Sequence, residues 1–490
     1  MTTPRHNKKI GLEGLGYRSR HFDQLIEQTC PAFNTLASHE KAYLAAVLWG
    51  CALRRNDHRR GENGLVQFPW EQKQEIFGSA KRFNEINAAL NWFMLKTRAI
   101  IGKRTQGWAL TTTSKKLIDH YVQRARQPHA TAPEKSTTGL INADGTAYRL
   151  QSDGISSKTR TGRTAKHPRH LISAAVPIND EALQAFDEAA SMWLKHRCCP
   201  PRFEWAAEKW QDLRYRHRQR QDYWYTPNRV RNVQIQAVAL RDIARQTPSA
   251  GFVIPTRYVE SEAGRLYADG LFNLQTCYGE VRRAAFTGFF DLDIENCHWT
   301  LLAQMATREG LQVPAIGYYL AHKKQVRRDL AHTAAISEDD AKFVLTALIY
   351  GATLSAKIDQ KYLAISRQIG QEAVEHVMRF EPVIALQQDL KRAKQVTIAA
   401  YQKRSRKKQV LVNDFGNEIR NTANPKQILA HLLQGAEAKV LSVLMKQLND
   451  EVVLLQHDGL TCRTAPDKHE LETVILKETG YALVLDISAL

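Results

Sequence analysis

Residues Phe289 to Ala306 read FFDLDIENCHWTLLAQMA. The first half alternates apolar and acidic side chains, Phe290, Asp291, Leu292, Asp293 and Ile294, which is the period of two that a strand imposes. From Asn296 onward, Leu301, Leu302, Met305 and Ala306 recur at helical spacing. A strand therefore ends in a carboxylate and turns into a helix. Far down the chain, Glu451 to Arg463 (EVVLLQHDGLTCR) answers it. There a run of aliphatics reaches Gln456, His457, Asp458 and Gly459 before a second short apolar run. This pattern predicts a hairpin with a His-Asp pair at its tip.

Two strand-borne aspartates from distant parts of one chain suit a particular chemistry. Side by side they hold a pair of divalent cations that clamp the attacking and leaving oxygens of a phosphoryl transfer. Taken singly, each reads equally well as a helix cap or a hairpin turn. Between them lies a third element, Asp339 to Gly351 (DDAKFVLTALIYG), whose acidic front and apolar stripe predict a helix. Lys342, Thr346 and Tyr350 recur every four residues and share one face. A cation and an aromatic on one face suit the triphosphate and base of a nucleotide. The bland reading of that face is a lysine stem laid over a core tyrosine.

In this order the residues resemble the palm and fingers of family A DNA polymerases and of their relatives, the single-subunit phage RNA polymerases. Those families carry a D-x-x-x-x-E motif entering a helix, a K-x7-YG helix and an HD hairpin; here stand Asp293, Lys342 with Tyr350-Gly351, and His457-Asp458. Gly264-Arg265-Leu266, Asn273-Leu274-Gln275, Arg283 and Phe286 resemble the run that precedes the first motif. Leu433-Gln434-Gly435-Ala436-Glu437-Ala438 resembles the helix that precedes the last. The resemblance spans residues 250 to 490.

The resemblance implies an α+β right-hand polymerase with palm, fingers and thumb. It assigns 256–490 to palm and fingers, the fingers falling at about 307–425, and 171–255 to a helical thumb-like region. Asp293 and Asp458 would bind two Mg²⁺ ions (Mn²⁺ as an alternative), with the carbonyl of Ile294 as a further ligand. Asp291, on the same strand face as Asp293, stands in reserve. Lys342 would be catalytic, neutralising the triphosphate and protonating the leaving pyrophosphate. His298, Lys342, Thr346, Tyr350 and Gly351 would bind the nucleotide. Arg265, Asn273, Gln275, Gln434 and His457 would face the primer-template, where minor-groove acceptors recur in every base pair.

The sequence departs from the family at four places. Glu338 stands where an Arg precedes the motif lysine, so Arg327 or Arg328 is expected to supply that charge. Thr346 replaces the mid-helix aromatic of the DNA polymerases. His298 stands at the sugar gate, a glutamate in the DNA enzymes and a small residue in the RNA enzymes; its imidazole crowds a 2′-OH and can also hydrogen-bond one. Gly459 matches neither branch.

The rest of the chain sets the context. Its 490 residues suffice for two or three domains, and 43% hydrophobic with 24% charged residues is an ordinary globular composition. A formal charge of +19 is not ordinary, and the usual partner of such a field is nucleic acid. No apolar run of spanning length and no signal peptide are expected, and the seven cysteines lack C-x-x-C spacing, which suits free thiols in a reducing cytoplasm.

Residues 1–38 read as a basic tail. Residues 39–125 read as a helical, winged-helix-like domain, with helices over Glu40–Arg54, Trp70–Phe77 and Phe83–Arg98. Within it, Asn84–Lys96 is the candidate recognition helix, and a hairpin over Gly102–Thr113 turns at Gly107-Trp108. Residues 126–170 read as a basic flexible linker. The run WQDLRYRHRQRQDYWYTPNRVR, from Trp210, interleaves arginines with aromatics as a nucleic-acid track does, although an amphipathic helix with core aromatics reads the same way. The basic runs Lys323–Arg328 and Lys403–Lys408 suit template phosphates or a solvated face. No proofreading exonuclease is expected in residues 1 to 180.

The function expected is template-directed nucleotidyl transfer by a DNA-directed DNA polymerase, on DNA primer-template with nucleoside triphosphates, in the cytoplasm and on the nucleoid when bound to DNA. Size and layout suit replication of a plasmid, phage or mobile element. An RNA polymerase or primase on the same scaffold is the alternative. A non-catalytic replication initiator follows, and a metal-dependent nuclease ranks last because it needs no Lys342–Tyr350 helix. No membrane partner is expected, and protein partners are left open.

Overall fold

The structure, a computed structural model, describes residues 16–53, 66–68, 70–97, 107–127, 138–211, 227–247, 251–270, 272–357, 363–405 and 409–490. The basic tail to residue 15, the hairpin turn, part of the linker, most of the Arg-aromatic run and the end of the Lys403–Lys408 run lie outside these residues.

The N-terminal half begins with strand β1 (Tyr17–Ser19) and helices α1 (Arg20–Thr29), α2 (Pro31–Asn34) and α3 (Ser38–Leu53). Strand β2 (Val66–Gln67), helices α4 (Trp70–Phe77) and α5 (Ala80–Leu90), strands β3 (Phe93–Thr97) and β4 (Gly107–Leu110) and helix α6 (Thr112–Ala125) follow. The three short strands form an antiparallel sheet in the order β2-β4-β3. The helix expected over Phe83–Arg98 stops at Leu90, because Asn91 takes the left-handed conformation (φ 52°) that closes a helix. The chain then buries Trp92 and pairs as β3, so Gly107 and Trp108 lie on a strand rather than at a turn.

Next come β5 (Leu140–Asn142), β6 (Ala175–Pro177), α7 (Asp180–His196) and α8 (Pro227–Arg245). Helix α8 holds this half together through Asp242, a fully buried carboxylate. It accepts from Ser19 Oγ at 2.5 Å and Tyr121 Oη at 2.7 Å, with His21 Nδ1 at 2.7 Å. A buried charge is tolerable only with such partners. Of the two readings of the Arg-aromatic run, Trp210 fits the one with core aromatics: it is fully buried against Phe186 and Trp193. The stretch expected as a flexible linker is packed from residue 138 on. Leu140 and Ile155 are fully buried, β5 pairs with β1, and Gly139 N donates to Gln246 O.

Strands β7 (Val253–Pro255), β8 (Tyr258–Glu260) and β9 (Leu266–Ala268) and helix α9 (Gly279–Ala285) lead into β10 (Phe290–Ile294) and α10 (Cys297–Arg308), the strand-to-helix turn read in the sequence. Helices α11 (Pro314–Ala321), α12 (Lys323–Thr333), α13 (Glu338–Ile349), α14 (Ala364–Ile369), α15 (Gln371–Arg379) and α16 (Glu381–Arg404) and the hairpin β11 (Val410–Val412)–β12 (Glu418–Arg420) form a mainly helical insertion. Helix α17 (Pro425–Leu448), strands β13 (Val452–Leu455) and β14 (Gly459–Cys462), helix α18 (Lys468–Thr479) and strand β15 (Leu485–Ala489) complete the chain.

The central sheet has four antiparallel strands in the order β13-β14-β10-β15. The alternation of β10 is realised: Leu292 and Ile294 are buried, while Asp291 and Asp293 take the other face. Helix α17 corrects one expectation. Residues Pro425–Glu451 are long and apolar enough to cross a membrane, but 78% of the apolar 18-residue stretch within them is buried inside the molecule, as in a core helix.

Gly435 on α17 lies where any Cβ would collide with the Asn413 side chain. Asn413 cannot yield, since it donates to Ala263 O and His431 O and accepts from Phe415 N and Asn417 N. Gly435→Ala is therefore expected to destabilise the protein by about 1–3 kcal/mol. The expected reading is a lower urea midpoint at an unchanged m-value.

Candidate active site

Strand β10 pairs Asp293 with Gly459 on one side and with Asp486 on the other. Ile294 N donates to Asp458 O at 3.0 Å, which seats the hairpin tip beside the strand end. A Cβ at residue 459 would lie 3.2 Å from Asp293 Cα and still nearer Leu292 O. Glycine is required there by close approach, which accounts for the departure from both polymerase branches.

These carboxylates crowd one another. Burial, then the charges of Asp458 and Asp291 and, more weakly, Asp486, raise the Asp293 pKa to about 7, with Lys342 opposing. Asp291 is also raised, first by burial. It is the better-satisfied acid, accepting from Gln456 Nε2 at 2.5 Å and Thr461 Oγ1 at 3.4 Å. Asp486 is a member of the cluster that the sequence reading missed. Its signal was available, since Leu485-Asp486-Ile487 repeats Leu292-Asp293-Ile294.

Helix α13 brings Lys342 within electrostatic reach of Asp293. Lys342, Thr346 and Tyr350 are exposed, and Thr346 Oγ1 donates to Lys342 O. Gly351, at φ 75°, follows with a backbone conformation that favours glycine. Of the two candidate arginines, Arg327 reaches the β10–α10 turn, with Nη2 3.1 Å from Tyr319 Oη and 3.5 Å from Asn296 Oδ1. Arg328 bonds Gln325 on its own helix.

His298 is built into a chain of contacts. Tyr350 Oη lies 2.6 Å from His298 Nδ1, and His298 Nε2 lies 2.7 Å from Glu437 Oε2. Glu437, fully buried on α17, accepts Arg265 Nε and Nη2 at 2.6 and 2.5 Å. Burial pushes the Glu437 carboxyl up, but these donors outweigh it and hold the pKa below the usual range. The Tyr350 phenol is raised to about 12, first by burial. Arg265 thus presents its fork to Glu437 instead of a primer groove. Cys297 joins His298 and Glu437, their ligating atoms all within 4.8 Å of one another. Burial holds that thiol well above its ordinary pKa, and the Arg265 cation already occupies the carboxylate.

Two further expected contacts turn inward. Asn273 Nδ2 donates to Gly270 O and its Oδ1 accepts from Thr276 N. Gln275 accepts from Ala268 N and donates to Leu266 O and Leu455 O, tying β9 to β13. Both side chains are buried, so they brace the hairpin rather than face a groove. Gln434 is half-buried one turn before Glu437, and His457 is exposed at the tip, its ring 5.4 Å from Tyr267. The His457 pKa is lowered, first by burial and then by Arg265.

No family model matches the sequence, and no curated protein matches it. A solved structure with which the chain can be superposed is the polymerase domain of Pol1 from M. smegmatis in complex with DNA primer-template and dNTP. That likeness has 14% sequence identity and a TM-score of 0.37, and covers 65% of this chain and 67% of the other.

With a folded pKa near 7 against an unfolded value near 3.9, Asp293 binds more protons folded than unfolded across that window. Its ionisation therefore makes stability fall as pH rises from about 4 to 7. In divalent-free buffer, Asp293→Asn is expected to melt above the wild type at pH 8 and alongside it at pH 4. Paired thermal melts at the two pH values check this.

Proposed function

We propose that the chain is a template-directed nucleotidyltransferase that extends a primer on a DNA template. The observation that supports this reading is the convergence of Asp293, Asp458 and the Lys342 face of α13 at one end of the four-stranded sheet. Burial first, and then the charges of Asp458 and Asp291, raise the Asp293 pKa, and a cluster of carboxylates beside one another is a donor set that fits hard divalent ions. Asp293 and Asp458 would hold them, with the Ile294 carbonyl as a further ligand and Asp291 or Asp486 in support. Bound there, Mg²⁺ lowers the pKa of a primer 3′-hydroxyl and neutralises charge on the leaving pyrophosphate.

The side chains do the rest. Lys342 draws the triphosphate onto α13 and donates a proton to the leaving group. Tyr350 offers a stacking surface for the incoming base. His298, fixed between Tyr350 and Glu437, presents a bulky ring to the sugar, which favours deoxynucleotides. The N-terminal helices α4 and α5 with the β3–β4 hairpin recruit DNA, an arrangement suited to replication of a plasmid, phage or mobile element.

The test is extension of a labelled primer on a DNA template with Mg²⁺. Extension with dNTPs is expected, falling at least about a hundredfold in Asp458→Ala. Extension with NTPs, or products made without primer, would move the reading to an RNA polymerase or primase. Binding without synthesis under any condition would leave a non-catalytic initiator.

A further inference from the structure

The segment from Gly154 to His170 is held on the central sheet's flank by uncharged backbone and one buried acid. Ser156 N donates to Tyr258 O, and Tyr258 N to Gly154 O. Fully buried Glu260 accepts from Lys166 N at 2.7 Å and His167 N at 3.1 Å, while Asn417 Nδ2 closes its other oxygen. His167 is buried, lies 2.8 Å from Gly264 O through Nε2, and stacks on Phe415 at 4.3 Å. Between these anchors the chain makes a tight hairpin: Lys158 bridges Thr164, Thr159 N donates to Arg163 O, and Gly162 takes φ 82°. The interior contacts are neutral or anionic. Of the cations, Lys166 Nζ donates to Gly416 O and Arg169 pairs with Asp153, while Lys158, Arg160 and Arg163 are exposed.

Lys158, Arg160, Arg163 and Lys166 are exposed on this one short hairpin. Glu260 is spent on backbone N–H groups, and Glu262 and Glu418, which line the pocket beside Arg163 and Lys166, offset only part of the four positive charges. A rigid display of this kind is stabilised by an external polyanion. Its position says which. The Arg160 guanidinium lies 5.0 Å over the Tyr267 ring, and Tyr267 packs 5.4 Å from His457, the neighbour of Asp458. Tyr258, which carries the segment's backbone, also accepts from Leu455 N in the strand that leads to that tip.

We infer that the hairpin Lys158–Thr164 is a phosphate clasp that grips the backbone of the primer-template duplex as it leaves the site, with Lys158, Arg160 and Arg163 on successive phosphates. The choice of duplex rests on the polymerase reading, through the place of His457 at the primer end. Clasp contacts are to charge and carry no base information.

The test is equilibrium binding of a recessed primer-template and of a single strand, without nucleotides, over a series of salt concentrations. The Lys158→Ala/Arg160→Ala/Arg163→Ala variant, checked for a wild-type melt, is expected to lower the duplex slope of log K against log salt by about 2–3. Removing three cations on other helices (Lys195→Ala/Arg379→Ala/Lys477→Ala) should leave that slope within about 1 of wild type. Equal losses in both triple variants, no loss in the first, or a loss confined to the single strand would overturn the clasp. Because binding is read without synthesis, a wild type that binds duplex but never extends it sinks the polymerase reading and leaves the clasp to be judged by its slope.

Discussion

Asp293 and Gly459 face each other across two strands that approach too closely for any side chain between them. Everything at the site depends on that approach. It brings the end of β10 to the tip of the β13–β14 hairpin, so that burial first and then the charge of Asp458 raise Asp293. The chain gives up a side chain at 459 to hold two like charges together, a sacrifice that makes physical sense where a cation is to be held.

The second constraint is the buried Glu437. Its two oxygens serve Arg265 from the β8–β9 turn and the imidazole of His298 from α10, and that imidazole meets Tyr350 at the end of α13. Side chains on three separate pieces of chain are thus referred to one carboxylate on a fourth. Such a network couples its members, so a change at any one position is felt at the others. The position of Tyr350 is in this way tied to the same helix, α17, that packs against the Asn413 loop.

What the sequence made legible was local. The period-two run in β10, the hairpin at His457-Asp458 and the four-residue spacing of Lys342, Thr346 and Tyr350 are statements about neighbours, and each corresponds to an element in the structure. What it hid was long-range pairing. Asp486 joins the acids because β15 adds to the free edge of β10, and its Leu-Asp-Ile flanks, though they match those of Asp293, do not say which strand it pairs with. Asn273 and Gln275 look like groove contacts in a motif but spend their polar atoms on backbone turns. The segment after residue 138 has the composition of a linker, and its order comes from Glu260 and Phe415, which lie far along the chain. Helix α5 ended early because one asparagine took a left-handed turn, a choice periodicity does not register.

The strand order of the central sheet also bears on synthesis. β10 has no partner until the chain has been made as far as Cys462, and its other edge stays open until Leu485 to Ala489 exist. A strand left bare for that long is an invitation to pair with another chain. The aspartates at 291 and 293 stand on that strand as like charges, which penalise in-register stacking of two copies. The same carboxylates that gather at the site thus guard the nascent chain while it waits for its partner strands.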